Sequence, residues 1–170
     1  WELSDMLKFA VEFEGPIAIR YPRGEAYDGL EEYRQPIEYG KAEWIYKEQD
    51  IALLAVGSMV KTAESVYAEL KEQGKNVSLL NARFVKPIDE EAVLEACEKH
   101  TLLVTLEENV ASGGYGEKVL DCLQKNGKDI SLLRIAIPDA YVEHGSVDLL
   151  KKEIGLDVAS ITEQILEKLG

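Results

Sequence analysis

Long apolar runs are missing from this chain. The longest, such as Ile51 to Val56, have the length of one strand, so the sequence holds no membrane-spanning helix. A leader pattern of basic, then apolar, then small residues is missing at the start as well. Positive charge is scarce: 19 Lys and Arg face 32 Asp and Glu, for a net charge of -13. That argues against nucleic acid as a partner, because binding a phosphate backbone needs clustered cations. Cysteine and histidine occur twice each. Cys97 and Cys122 fall on apolar faces of predicted helices and read as buried reduced thiols, not as a disulfide or a metal pair. That usage points to a cytoplasmic setting.

What is present fits a water-soluble globular domain. Of the 170 residues, 46% are hydrophobic and 30% charged, enough for one domain with its own core and a short extra piece. The chain opens at Trp1 in a segment patterned like the middle of a larger unit, and a fragment or processed piece is expected.

The first segment reads as a helix over residues 2 to 12, with Leu3, Met6, Leu7 and Ala10 on one face. Gly15-Pro16 stops it, and Ile17 to Arg20 is expected as a short strand. Residues 25–37, rich in Glu, Gly and Pro without a period, read as a linker. Beyond it strands and helices alternate. Strands are expected at Lys41 to Tyr46, Ile51 to Val56, Val77 to Asn81, Leu102 to Leu106 and Ile130 to Ile135. Helices are expected after Ser58, after Asp89, after Gly113-Gly114 and after Asp157, with Ser58 and Asp157 as caps. This alternation implies right-handed crossovers and an α/β fold of three layers, α/β/α, around a mostly parallel sheet.

Ligands of such sheets gather where strands meet the following loops. Five stretches there carry chemistry-bearing residues. Arg20-Tyr21-Pro22-Arg23-Gly24 places two permanent cations about a rigid proline. It reads either as a clamp for phosphate or carboxylate or as salt bridging to the acidic residues that follow. In "LEENVASGGYG", Leu106 to Gly116, a glycine turn opens a helix whose amides could face an anion. The other reading is a tight turn with close packing. Glu107 and Glu108 are neighbours on a strand and so point to opposite faces, which disfavours a paired acid/base site. In "NARFVKPID", Asn81 to Asp89, Arg83 and Lys86 read as surface or interface salt bridging. In "IPDAYVEHGS", Ile137 to Ser146, His144 sits in a predicted loop as a possible base or ligand, with a structural loop favoured. His100 reads as a cation at a helix C-terminus. Gly57-Ser58 reads as a turn and cap.

Taken together and in this order, "IRYPRG", "NARFVKPID", "LEENVASGGYG" and "PDAYVEHGS" resemble the C-terminal third of the 1-deoxy-D-xylulose-5-phosphate synthase family. Those enzymes are thiamine-diphosphate-dependent members of the transketolase group. The resemblance implies a boundary: residues 1–24 would end a pyrimidine-binding domain, and residues 38–170 would form a transketolase C-terminal domain. It implies a parent that condenses pyruvate with glyceraldehyde 3-phosphate, using thiamine diphosphate and Mg2+, and works as a homodimer away from membranes. It assigns Arg23 to the substrate phosphate, with Arg20 as a second partner. It assigns no catalytic, cofactor-binding or metal-binding residue to these 170 residues, so the piece alone is expected to be inactive. The alternatives are a piece of a transketolase or a 2-oxoacid dehydrogenase β chain, or a non-catalytic module binding a ligand at the glycine turn.

Overall fold

The computed structural model describes residues 1–22 and 24–170. Helix α1 spans Glu2–Glu12. Strand β1 spans Glu43–Tyr46, β2 Asp50–Ala55, β3 Val77–Asn81, β4 His100–Val110 and β5 Ser131–Ile137. Between them lie α2 (Met59–Glu72), α3 (Glu90–Lys99) and α4 (Tyr115–Lys125). Helices α5 (Val147–Glu153) and α6 (Val158–Leu169) follow.

The strands form one sheet in the order β1-β3-β2-β4-β5. The pairs β2–β3, β2–β4 and β4–β5 are parallel, and β1 runs antiparallel on the edge beside β3. Alternation along β2 divides the core. Ile51, Leu53 and Ala55 face one layer with Met59, Ala63, Val66 and Leu70 of α2 and Ile161 and Ile165 of α6. Ala52 and Leu54 face the other, with Ala92, Val93 and Ala96 of α3 and Val119, Cys122 and Leu123 of α4. A strand buried on both faces needs apolar residues at every position, which is why Ile51 to Ala55 is a continuous run. Asp89 caps α3 by accepting from the Ala92 amide, and Asp157 caps α6 by accepting from the Ser160 amide. The three-layer α/β/α fold expected from the alternation is the one observed.

Four local features differ from expectation. Residues 17–20 form no strand among the described residues, since no neighbouring strand pairs with them. Residues 147–153, not expected to be regular, form α5. Ser58 accepts no capping bond from an amide of its helix; its hydroxyl donates to Glu108 instead. His100 is not an exposed cation. It starts β4, is buried, and bonds through Nδ1 to the Ala96 carbonyl at 2.7 Å and through Nε2 to Ser78 Oγ at 2.8 Å.

Arg83 is also more than a surface cation. Its side chain is 3% exposed, with Nη2 2.7 Å from Glu43 Oε1 and Nε 2.8 Å from Glu2 Oε1. Glu43 is buried too, and its Oε2 has no hydrogen-bond partner among the described residues. Burial pushes its carboxyl above the usual range, and the Arg83 charge offsets only part of that. One guanidinium thus joins β1, α1 and, through the carbonyls of Gln35 and Pro36, the segment between them.

Helix α1 docks by its polar residues. Glu2 accepts from Asn81 and Arg83, each at 2.8 Å, and Asp5 accepts two bonds of 2.7 Å from Arg34. The bonds from Arg34 hold the Asp5 carboxyl down at about 2. Phe9 adds an edge contact to Phe84. No residue of α1 is buried, and Leu7 and Val11 are 52% and 88% exposed. Ion pairs in water hold weakly compared with apolar burial. Amides of Met6 to Ala10 should therefore exchange with solvent roughly 100-fold or more faster than those of Ile51 to Ala55, because protection follows local stability. Equal protection in a hydrogen-exchange experiment would show that the polar contacts suffice to fix α1.

Candidate functional site

The chain reverses its direction of growth across the sheet between β2 and its two parallel neighbours. At that switch point the carboxyl ends of β2 and β4 lie side by side, the place where α/β sheets bind ligands. Glu107 and Glu108 end this stretch of β4, and the pleat sends them to opposite faces as their adjacency requires.

Glu107 turns inward and is 3% exposed. Its Oε2 accepts from the Tyr115 amide at 2.7 Å and its Oε1 from the Gly116 amide at 2.8 Å. These are the first free amides of α4, so an internal carboxylate takes the position that an external anion would occupy. The glycines follow from the same contact. A Cβ on Gly114 would lie 2.6 Å from both Glu107 carboxylate oxygens and 2.7 Å from the Val110 carbonyl. A Cβ on Gly116 would lie 2.6 Å from Thr105 Oγ1. Gly113 alone requires a left-handed backbone, at φ 74. Of the two readings of "LEENVASGGYG", the structure supports the tight turn.

Glu108 turns to the other face and collects three elements. Its carboxylate accepts from the Ser58 hydroxyl at the start of α2 and pairs with Lys151 of α5. Its backbone carbonyl accepts from Arg20 Nη2 at 3.0 Å. Burial would raise the Glu108 carboxyl, but the bonds from Lys151 and Ser58 and the charges of Lys151 and Arg20 outweigh it. The group sits below the usual carboxylate range. Sequence reasoning singled out Arg20, Ser58 and Glu108 separately. It missed Lys151, because a Lys-Lys pair in an acidic chain carries no motif.

The remaining candidates lie apart from this cluster. Arg83 serves the buried network described above, and Lys86 is exposed. His144 is exposed in the loop before α5. Cys97 and Cys122 are free, and burial pushes both thiols up. Arg23 lies outside the described residues. Among those described, no group of three or more His, Cys, Asp or Glu is placed to hold a metal ion. The Tyr115 and Gly116 amides of α4 are engaged by Glu107 and are not open to an external anion.

Gly114→Ala should test the internal cap. The added methyl meets backbone and a fixed carboxylate, neither of which can move freely, and such overpacking costs about 1–3 kcal/mol. A denaturant titration should show that loss. Gly57→Ala, whose Cβ would meet nothing within 4 Å, isolates the backbone cost at a positive φ of 56. An unchanged midpoint for Gly114→Ala would mean that Glu107 does not hold the turn.

The family model for the C-terminal domain of transketolase matches residues 40–161. A 1-deoxy-D-xylulose-5-phosphate synthase of Lachnoclostridium phytofermentans is 47% identical over 171 residues, covering 100% of this chain and 27% of that protein. A synthase of the same name from Syntrophomonas wolfei is 43% identical over 169 residues, covering 98% of this chain and 26% of that one. The chain therefore spans about a quarter of the length of these curated relatives. Among solved structures, a split-gene transketolase in an inactive β4 tetramer superposes with a TM-score of 0.83. It covers 97% of this chain and 54% of that one at 24% identity, a likeness of fold. A transketolase mutant of Pichia stipitis gives 0.54 over 76% of this chain and 18% of that one, at 14% identity. By the match over residues 40–161, which takes in the whole sheet, this chain belongs to the transketolase family and carries its C-terminal domain.

Proposed function

We propose that this chain is the C-terminal portion of a thiamine-diphosphate-dependent synthase. The parent would condense pyruvate with glyceraldehyde 3-phosphate to 1-deoxy-D-xylulose 5-phosphate, with loss of CO2, in the cytoplasm and as a homodimer. The observation that carries this reading is 47% identity, over the whole of this chain and 27% of the relative, to an enzyme bearing that name. In this reading residues 1–24 close the preceding pyrimidine-binding domain, 25–37 link, and 38–170 form the C-terminal domain. Thiamine diphosphate and Mg2+ belong to the preceding parts of the parent and supply the carbanion chemistry there. The piece alone neither binds the cofactor nor turns over substrate.

The contribution of this chain is electrostatic. A substrate phosphate approaching a chain of net charge -13 needs local cations. The turn Arg20–Gly24 supplies two. Arg23 grips the phosphate and Arg20 is its neighbour in the same turn. Arg20 is exposed, and among the described residues only its Nη2 is engaged by a hydrogen bond, to the Glu108 carbonyl. The rival reading of a nucleotide module at the glycine turn loses its support, because Glu107 already takes those amides.

The test is Arg23→Ala in the full-length parent. A lost charge-assisted contact of about 1.5–3 kcal/mol should raise KM for glyceraldehyde 3-phosphate roughly 10- to 150-fold. KM for pyruvate, which has no phosphate, should stay within about twofold. Arg23→Lys should recover part of the loss, since an ammonium cannot contact two oxygens in one plane. Equal shifts in both constants, or none in either, would overturn the assignment.

A further inference from the structure

The cluster on Glu108 poses a physical problem for an anion site. A carboxylate lies beside Arg20, close enough to lower its own protonation range through that charge. A free carboxylate there would draw the guanidinium into a bidentate ion pair and repel an incoming phosphate. The geometry prevents this. Lys151 and Ser58 occupy the Glu108 carboxylate from two sides, and Arg20 reaches only its backbone carbonyl. The lysine comes from α5, a helix with no buried residue and with Val147 and Leu149 65% and 61% exposed. Packing thus says little about why α5 lies here, whereas the ion pair does.

We infer that Lys151 is a positioning residue for the phosphate site, acting by neutralising Glu108 so that the Arg20 guanidinium remains available to the substrate. This rests on the reading of the Arg20–Gly24 turn given above. The two charges of the Lys151–Glu108 pair cancel, and the net charge that Arg20 presents survives. Lys151 touches no substrate in this scheme. Its effect passes wholly through Glu108, and that dependence makes it separable from a structural role.

The experiment is a double-mutant cycle in the full-length parent. Lys151→Met keeps the unbranched side chain to within one atom, removes its charge and frees Glu108 Oε1. KM for glyceraldehyde 3-phosphate should rise about tenfold, the scale of one compromised charge-assisted contact, with KM for pyruvate unchanged. Glu108→Gln alone should change the first constant by less than about twofold, since the amide oxygen still accepts from Ser58 and no longer competes for Arg20. The double variant, Lys151→Met with Glu108→Gln, should return to within about twofold of the unmodified enzyme. A merely structural role for the ion pair forecasts the opposite, with the double variant at least as impaired as Lys151→Met. No effect of Lys151→Met, or no rescue in the double variant, overturns the inference.

A second readout does not involve substrate. In the 170-residue chain, the Arg20 Nε–H should exchange more slowly in Lys151→Met than in the unmodified protein, because the freed carboxylate captures it. Unchanged exchange there also counts against the inference. If Arg23→Ala leaves substrate kinetics untouched while this exchange slows as expected, the clamp reading fails and the Lys151–Glu108–Arg20 coupling stands.

Discussion

The period-two pleat of β4 is the constraint on which the rest of the site depends. Because adjacent side chains must leave a strand on opposite faces, Glu107 and Glu108 cannot cooperate, and each organises a different layer. Glu107 fixes the start of α4 and dictates the glycines there. Glu108 gathers the start of α2, the last turn of α5 and the segment carrying Arg20. A one-residue slip of β4 against β2 would exchange the two carboxylates and destroy both arrangements. The continuous parallel register from Ile51–Leu102 to Ala55–Leu106 forbids such a slip. The buried apolar rows therefore do more than stabilise the core: they set which carboxylate reaches which partner.

The layers themselves were legible in the sequence because burial on two faces leaves so clear a mark. Ile51 to Ala55 is apolar without interruption, and Val77 to Leu80 and Leu102 to Leu106 are broken only by Ser78 and Thr105, the pattern of strands in a parallel sheet covered on both sides. The helix start at Asp89 and the cap at Asp157 were legible for a local reason, since their bonds close within three residues. Contacts distant in sequence were not. Arg83 looked like one surface cation among many until the fold brought Glu2 and Glu43 to it from 81 and 40 positions away. Lys151 was invisible for the same reason. His100 does close its helix by bonding the Ala96 carbonyl, but its burial against Ser78 of β3 joins residues 22 positions apart and was not legible. Residues 17–20 look like a strand by composition, but a strand needs a neighbour to pair with, and none is placed beside them.

Two kinds of ionic contact are mixed in this chain, and they do different work. The Arg83–Glu43 pair is taken out of water, and removing one partner would strand the other charge in the interior, a loss of about 3–5 kcal/mol. Such a pair fixes geometry at a cost in desolvation. The α1 contacts through Asp5 and Arg34, by contrast, lie near solvent and hold a helix whose Leu3, Leu7 and Val11 face outward. An amphipathic helix docked by its polar side leaves its apolar side for something else. In a family member spanning about a quarter of its relatives' length, the rest of the longer protein would supply that cover under the proposed domain division.

The acidic balance of the chain bears on the same point from the side of function. With a net charge of -13, the long-range field opposes any phosphorylated ligand, so attraction has to be generated within a Debye length of about 8 Å. At that range the identity of each neighbour matters more than the total. Glu108 is the acidic residue whose backbone carbonyl bonds Arg20, and it is also the one whose carboxylate Lys151 and Ser58 hold in check. Every other acidic group can remain, because water and salt screen it. What an anion site in so acidic a chain requires is local cancellation of one charge, and α5, otherwise almost without anchors, delivers it.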